Sequence, residues 1–219
     1  MNAKPKRHPP NRGKPLRNSR QRPEKSTILI VCEGRETERN YLDSLKREER
    51  VCEKFAITVV KGRGGSRRQI VQHAVDQKNN RNQDFDAVWC VMDVEHLDTQ
   101  ESRDDLAAAI LNANHHQISL YLSNPTFEVW LLAHFIRSSR QFNDCNAVIE
   151  ELNKHWKIHF HIEYDKSDRR LYDKLITRMR AAIDNAKGVR EQDHPNQTDI
   201  IDCNSATEFY KVLEYFQIF

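Results

Sequence analysis

The chain has 219 residues, of which 38% are hydrophobic and 31% are charged, and this length favours one compact domain with appendages over two independent domains. No apolar run approaches the roughly 18 residues of a transmembrane helix, and no apolar secretory segment is found, so we expect a cytoplasmic protein that does not enter a membrane. The five cysteines form no Cys-x-x-Cys pair, which argues against a zinc knuckle or a disulfide framework.

The N-terminus carries a strong excess of positive over negative charge. Residues 1–25 hold nine Lys or Arg against one acid, and five of the seven prolines. A segment with so few large apolar residues cannot offset the entropy of ordering its backbone, so we predict a disordered basic arm. The arm could hold nucleic acid through salt-sensitive contacts, whereas a solubilising tail or a protein-docking segment is the alternative.

From residue 26 onward, strands and helices are predicted to alternate. Continuous apolar runs, typical of strands buried on both faces, lie at 27–32, 55–60, 87–92 and 118–122. Apolar residues at helical spacing predict intervening helices at 36–50, 67–78 and 101–113, with Ser66 as the N-cap of the second. This alternation predicts an α/β fold with a mainly parallel central sheet flanked by helices.

The segment after the fourth strand is predicted to be a buried helix. Residues 127–135 are nearly all apolar and too rich in Leu and Ala for another strand; Ser123 or Asn124 would be the N-cap, with Pro125 in the first turn. Farther on, the pattern predicts a helix near 146–156, a short strand at 157–162, a helix near 168–186, a polar loop at 187–199 and a last helix at 205–217. We therefore expect a core at 26–135 and an α-rich C-terminal extension at 136–219 that packs on it.

Carboxylates follow three of the four predicted strands. Glu33 follows the first strand, Asp93 and Glu95 follow the third, and Glu128 lies just beyond the fourth. Ligands of parallel sheets bind outside the carboxyl ends of the strands, and acids gathered there repel one another unless a cation offsets their charge. All-oxygen ligation indicates Mg²⁺ or Mn²⁺ rather than zinc. For any one acid, helix capping or pairing with Arg is the plainer interpretation, but that interpretation weakens when the four are taken together.

The motifs around these acids resemble known families. An apolar strand followed by Glu33-Gly34-x-x-x-Glu38, and another followed by Asp93-x-Glu95, resemble the signature of Toprim domains, the catalytic modules of topoisomerases, primases and overcoming-lysogenization-defect (OLD) nucleases. Two longer motifs resemble the RloB family of bacterial Toprim-like proteins: Val31-Cys32-Glu33-Gly34-x-x-Thr37-Glu38-x-Asn40-Tyr41 and Ser123-Asn124-Pro125-x-Phe127-Glu128-x-Trp130-Leu131-Leu132. Toprim proteins usually carry Asp-x-Asp, so Glu95 is a departure, although glutamate also ligates magnesium.

The resemblance implies a Toprim-like Rossmannoid fold and an enzyme, a Mg²⁺-dependent nuclease that hydrolyses phosphodiester bonds in bacterial anti-phage defence (abortive infection). It also points to an ATPase encoded nearby as a partner. In this scheme Glu33 is the general base or first metal ligand, Asp93 and Glu95 hold the main metal and Glu128 a second. Lys166, in a Tyr164-x-Lys166 motif similar to one in the family, would stabilise the transition-state charge, although a solvated surface position is the plainer interpretation.

Several alternatives stay open at this point. The chain could instead be a non-catalytic nucleic-acid-binding or regulatory subunit of a defence complex, or it could transfer a nucleotidyl or phosphoryl group to a small nucleotide. The sequence does not distinguish DNA from RNA as the substrate, and it leaves a homo-oligomer open.

Other residues are expected to support this site. The glycine-rich turn at 61–68 opens a helix, so Gly64, Gly65, Ser66 and Arg67 could hold a substrate phosphate, although a plain turn with solvated charges fits equally well. Residues expected behind the metal ligands are Gly34, Glu38, His96 and Asn124. A surface ion pair is the favoured alternative for Glu38. His159 and His161 would share one face of the predicted strand at 157–162, and we interpret them as strand surface rather than as metal ligands.

Overall fold

In the described part of the chain, five strands form one sheet in the order β2-β1-β3-β4-β5. The strands are β1 (Ser26–Cys32), β2 (Phe55–Lys61), β3 (Ala87–Asp93), β4 (Ser119–Asn124) and β5 (Ala206–Thr207). The first four are parallel, as predicted, and β5 runs antiparallel to β4. The computed structural model describes residues 24–218 except 35, 64, 81–82, 96, 194–195 and 197–198. Gly64, His96 and nearly all of the predicted basic arm therefore lie outside the described residues.

Helices cover both faces of the sheet. They are α1 (Thr37–Leu45), α2 (Glu49–Cys52), α3 (Arg67–Lys78), α4 (Gln100–His115), α5 (Glu128–Ala133), α6 (Cys145–Phe160), α7 (Leu171–Leu175), α8 (Met179–Gly188) and α9 (Tyr210–Tyr215). A 3₁₀ turn (Ile176–Arg178) joins α7 to α8, a π-helical turn (Val189–Asp193) follows α8, and a second 3₁₀ turn (Ile200–Asp202) precedes β5. In the described segments, no helix combines the length and the apolar character that crossing a membrane requires.

The apolar runs of the central strands supply two cores, one on each face of the sheet. In β1, Ile28 and Ile30 pack into the core that contains α1 and α5–α9, whereas Leu29 and Val31 pack into the core beneath α3 and α4. All four side chains are fully buried. Because both faces of β1 are covered, the strand reads as a continuous apolar run and not as an alternating one.

Register brings the carboxyl ends of β1 and β3 together. Cys32 is paired with Val91, and the Glu33 amide donates to the Val91 carbonyl at 3.1 Å. Asp93, the last residue of β3, is paired with Ser123 near the end of β4. The acids that follow these strands therefore lie at one edge of the sheet.

The start of α3 confirms the predicted cap. Ser66 accepts a hydrogen bond from the Gln69 amide, and the Gln69 side chain accepts one from the Ser66 amide, which completes a capping box. By contrast, the predicted caps of α5 are wrong. Ser123 and Asn124 belong to β4, and α5 begins after Phe127 without a side-chain cap.

Two other predicted elements are wrong. The predicted strand at 157–162 is the end of α6, which continues to Phe160 because Val148, Leu152 and Trp156 bury one face at helical spacing. His161 then ends the helix in a left-handed conformation with φ of 58°, so it does not share a strand face with His159. The predicted last helix at 205–217 is shorter, because 206–207 form β5 and α9 spans Tyr210–Tyr215.

Candidate active site

Carboxylates line a cavity of about 240 Å³ at the carboxyl ends of β1 and β3. Its acidic residues are Glu33, Glu36, Glu38, Asp93, Glu95 and Glu128. The four acids that the strand pattern places at this edge, Glu33, Asp93, Glu95 and Glu128, are therefore brought together by the fold.

Asp93 is held by the segment that enters α5. One carboxylate oxygen accepts from the Phe127 amide at 2.8 Å, and the other accepts from the Thr126 hydroxyl at 3.0 Å. The Asp93 amide in turn donates to the Glu33 carboxylate at 3.1 Å. These bonds join the end of β1, the end of β3 and the start of α5 in one network.

Glu128 is the most enclosed of these acids, with 3% of its surface exposed. Its Oε1 accepts from the Tyr164 hydroxyl at 3.1 Å and from the Thr37 hydroxyl at 3.3 Å, and it lies 3.2 Å from Lys166 Nζ. Its Oε2 accepts from the Thr126 hydroxyl at 2.7 Å. A buried carboxylate needs such partners, since burying an unpaired charge costs several kcal/mol.

Glu38 is buried in the first turn of α1, so the surface interpretation of this residue is wrong. Its Oε1 accepts from the Gly34 amide at 3.0 Å. A Cβ at position 34 would lie 1.8 Å from Glu38 Oε2, so only glycine lets the carboxylate occupy this position. The carboxylate of Glu38, the second acid of the Glu-Gly-x-x-x-Glu motif, therefore packs against Gly34 of the same motif.

Crowding of these acids disfavours their charged forms. Burial raises the pKa of Glu38 to about 7, and the carboxylates of Glu128 and Glu33 add to the rise. Burial also raises the pKa of Asp93 well above its ordinary value, with further repulsion from Glu38, Glu33 and Glu128. Burial likewise raises the pKa of Glu33, helped by Glu95 and opposed by the Asp93 amide and Arg67.

Lys166 brings a positive charge to the cavity. Its side chain is 45% exposed, but Nζ lies 3.2 Å from Glu128 Oε1 and 3.2 Å from Cys145 Sγ. Burial opposes the charge, yet the Glu128 carboxylate and the Cys145 thiol raise the pKa of Lys166 above its ordinary value. Lys166 is therefore an exposed residue, as the surface interpretation predicted, but its head group reaches Glu128 from the solvent side.

Glu95 lies between the carboxylate cavity and a second groove. The second groove, of about 460 Å³, is also lined by Glu33 and by the start of α3. Glu95 is half-buried, and its backbone carbonyl accepts from the Arg67 guanidinium, which also donates to the Asp93 carbonyl at 2.8 Å. Arg67 thus fixes the backbone of the Asp-x-Glu motif.

The backbone amides of the glycine-rich turn already have acceptors inside the chain. The amides of Gly65 and Ser66 donate to Gln69 Oε1, at 2.9 and 3.3 Å. The Arg67 amide donates to the Asp105 carboxylate at 2.9 Å. Asp105 therefore occupies the position at the N-terminus of α3 that an anion would take. A phosphate role for Gly65, Ser66 and Arg67 stays a prediction.

The supporting residue Asn124 faces away from the acids. Its side-chain amide donates to the Ile200 and Ile201 carbonyls at 3.0 and 2.8 Å. It therefore ties the end of β4 to the C-terminal segment that carries β5.

The structure adds residues that the sequence reasoning did not single out. The Thr126 hydroxyl lies 3.0 Å from Asp93 Oδ2 and 2.7 Å from Glu128 Oε2, so the two carboxylates share its one hydrogen. The Tyr164 and Thr37 hydroxyl oxygens lie 3.1 Å apart beside Glu128. Cys145 also lines the cavity, next to Lys166. Thr37 and Tyr164 belong to the RloB-like sequence motifs, so the motifs were the available signal. Thr126 and Cys145 had no such signal.

The donor set has the chemistry of a magnesium or manganese site, since it consists of carboxylates whose mutual repulsion a cation would relieve. In the structure, however, no three His, Cys, Asp or Glu side chains among the described residues are arranged to hold a metal ion. Several carboxylate oxygens instead accept hydrogen bonds from Thr126, Tyr164 and the Phe127 amide. The residue types fit a hard divalent cation, and binding would require their side chains to reorient.

Comparison with known families gives one match. The family model described as RloB-like protein matches residues 28–216. The chain belongs to the RloB-like family. No significant match was found among curated proteins or among solved structures.

The RloB-like match extends well beyond the α/β core. It includes the acids at the strand ends, Tyr164 and Lys166, and it continues through β5 and α9. Residues 1–27, which contain the basic arm, precede it. The C-terminal region is therefore part of the RloB-like unit: it supplies Cys145 and Lys166 to the cavity, and Tyr164 donates to Glu128.

Proposed function

We propose that this RloB-like protein is a Toprim-like nuclease that hydrolyses phosphodiester bonds of nucleic acid with Mg²⁺ or Mn²⁺. The observation that carries the proposal is the convergence of Glu33, Asp93, Glu95 and Glu128 with the cation of Lys166 on one cavity. An acidic cluster with an adjacent ammonium group suits metal-assisted displacement at phosphorus. Burial and mutual repulsion raise the pKa values of Glu33, Glu38 and Asp93, and such perturbed acids in a cavity are typical of functional sites.

Each residue has a role that follows from its position. Glu33, Asp93, Glu95 and Glu128 would hold the metal, which when bound would supply Lewis-acid stabilisation of the charge on the phosphate oxygens. In the alternative role of general base, Glu33 would accept the proton of the attacking water as the water oxygen bonds to phosphorus and the bond from phosphorus to the leaving oxygen breaks. Lys166 reaches the cavity from the solvent side, where it would stabilise the negative charge of the transition state.

The family resemblance suggests a biological role and a partner protein. RloB-type proteins resemble defence nucleases, so we propose a role in bacterial anti-phage defence together with an ATPase encoded nearby. Nucleic acid, DNA or RNA, would be the substrate.

A cleavage assay tests the proposal. The purified chain is incubated with plasmid, single-stranded DNA and RNA in Mg²⁺ or Mn²⁺, with and without the neighbouring ATPase. Glu33→Gln and Asp93→Asn should each reduce cleavage at least a hundredfold, as expected for loss of a metal ligand or base. Asp184→Asn is the matched control, because Asp184 is an exposed acid on α8 that pairs with Arg180. Cleavage that persists in both active-site variants would refute the assignment of the site.

Two observations favour a second candidate, a non-catalytic nucleic-acid-binding subunit. Lys166 pairs with Glu128, and the described acids are not arranged around a metal position. If the chain binds nucleic acid but cuts none of the substrates, with or without the ATPase, this second function replaces the first.

A further inference from the structure

A third polar cavity, of about 510 Å³, lies on another side of the carboxylate cavity from the groove at the start of α3. It runs between α1 and the loop before α7, and we call it the arginine groove. Its cationic and polar lining consists of Arg39, Arg47, Arg169, Asn40, Ser44 and Ser167.

The arginine groove opens directly beside the candidate active site. Glu36 lines both cavities, and Ser167 of the groove follows Lys166 of the active site in the chain. A molecule extended along the groove would therefore reach the Lys166 head group and the acids behind it.

The two walls of the groove are joined by hydrogen bonds. Asn40 Nδ2 donates to the Ser167 carbonyl at 3.3 Å, and the Ser44 hydroxyl donates to the Arg169 carbonyl at 3.2 Å. These contacts join positions 125 to 127 residues apart in the chain. The groove is thus a feature of the folded chain and not a gap beside an unattached loop.

Positive charge in the groove faces solvent. The side chain of Arg39 is 50% exposed, and Arg47 and Arg169 are exposed residues. Arg47 gives one N–H to the Ser44 hydroxyl at 2.9 Å, which leaves most of a five-donor guanidinium directed elsewhere. Of the two acids in the lining, Asp43 is shared between Lys46 at 2.5 Å and Arg39 at 3.5 Å. Guanidinium groups therefore outweigh carboxylates on this surface.

We propose that the arginine groove binds the phosphate backbone of nucleic acid and leads the strand into the carboxylate cavity. This inference rests on the proposed function and names the residues that hold the substrate. The acids of the cavity repel phosphates, so a nucleic-acid substrate needs cations beside them, and the guanidinium group matches phosphate geometry with two parallel hydrogen bonds. Contacts of this kind position the backbone without reading its sequence.

The test measures binding without metal. Fluorescein-labelled 20-nucleotide single-stranded DNA, RNA and duplex DNA are titrated with the full chain in EDTA, and fluorescence polarisation is followed at several salt concentrations. The variants are Arg39→Gln, Arg47→Gln and Arg169→Gln, alone and combined. Arg180→Gln is the matched control, because Arg180 is an arginine of α8 with 72% of its side chain exposed.

We expect the triple variant to bind at least one of these ligands at least tenfold more weakly than the wild type. The salt dependence should become shallower: the negative slope of log affinity against log salt should decrease in magnitude by about 0.7 to 0.9 for each phosphate group that an arginine no longer neutralises. Lysine at the same three positions should restore only part of the affinity, because it returns the positive charge without the two parallel hydrogen bonds of a guanidinium group. Thermal unfolding of each variant shows whether it is folded.

Several outcomes would overturn the inference: no binding by the wild type, binding by the folded triple variant within twofold of the wild type, or an equal loss in Arg180→Gln. Cleavage that depends on Glu33 and Asp93 but not on the three arginines would refute substrate binding by the arginine groove and leave the nuclease assignment intact. Binding that depends on the three arginines, with no cleavage of any substrate, would instead refute the nuclease activity and support the arginine groove as a nucleic-acid-binding site.

Discussion

Replacing Glu38 with glutamine should stabilise the metal-free protein at alkaline pH. The Glu38 carboxylate is buried against Gly34 and repelled by Glu128 and Glu33, and these effects raise its pKa from 4.5 to about 7. Glutamine keeps the oxygen that accepts from the Gly34 amide at 3.0 Å and removes the charge. The substitution therefore removes the repulsion with little change in shape.

The sign of the pH dependence follows from proton binding. Between pH 4.5 and about 7 the folded state holds a proton on Glu38 that the unfolded state has released, so the free energy of unfolding falls as the pH rises through this window. Each pH unit corresponds to about 1.4 kcal/mol, so the full difference is about 3 kcal/mol. The variant should match the wild type at pH 4 and exceed its stability by up to about 3 kcal/mol at pH 8. The raised pKa values of Asp93 and Glu33 act in the same direction, so some slope should remain.

Urea unfolding measures the effect. Trp89, Trp130 and Trp156 are all buried, so their fluorescence reports unfolding, and the titrations are run in EDTA from pH 4 to pH 8. Glu36→Gln is the control, since Glu36 is an exposed acid at the same cavity, and it should change stability by no more than about 0.5 kcal/mol. A Glu38→Gln protein that is less stable than the wild type at pH 8, or a difference that does not vary with pH, would refute the reasoning.

Three further substitutions test how the site is held. Gly34→Ala should cost about 1 to 3 kcal/mol of unfolding free energy, because the added Cβ would lie 1.8 Å from Glu38 Oε2; Gly65→Ala, whose Cβ meets no atom within 4 Å, should be nearly neutral. Tyr164→Phe should cost about 1 to 3 kcal/mol, since Glu128 loses a buried donor at 3.1 Å, whereas little change in urea unfolding of Tyr164→Phe would argue against that bond. Asp105→Asn should cost about 1 to 2 kcal/mol at pH 7. Burial tends to raise the pKa of Asp105, but the hydrogen bonds together outweigh it and hold the folded pKa below 3.8. The cost should therefore shrink as the pH falls below this value, and a loss that does not depend on pH would contradict the assignment.

Much of the fold could be predicted from local patterns. The apolar runs of β1 to β4 and the capping box at Ser66 are short-range signals, and each was found within a few residues of its predicted place. The positions of Glu33 and Asp93 at one sheet edge followed from a general rule, since adjacent parallel strands end on the same side.

Other features depended on contacts between distant parts of the chain. The two-residue strand β5 exists because Ala206 pairs with Asn124, and nothing in its own sequence predicts a strand. The periodicity of α6 likewise prevailed over a short pattern of alternating histidines, because burial of Trp156 required the helix to continue.

The sequence by itself determined the α/β fold and the positions of its acids at the ends of strands, because apolar runs and strand ends are local properties. Only the tertiary structure decided that Glu38 is buried, that Asn124 faces the C-terminal segment, and that Lys166 reaches Glu128. Tyr164 meets Thr37 and Glu128 across 127 and 36 residues of chain. Contacts over such separations depend on how the helices pack, and no spacing within a single segment of sequence encodes them.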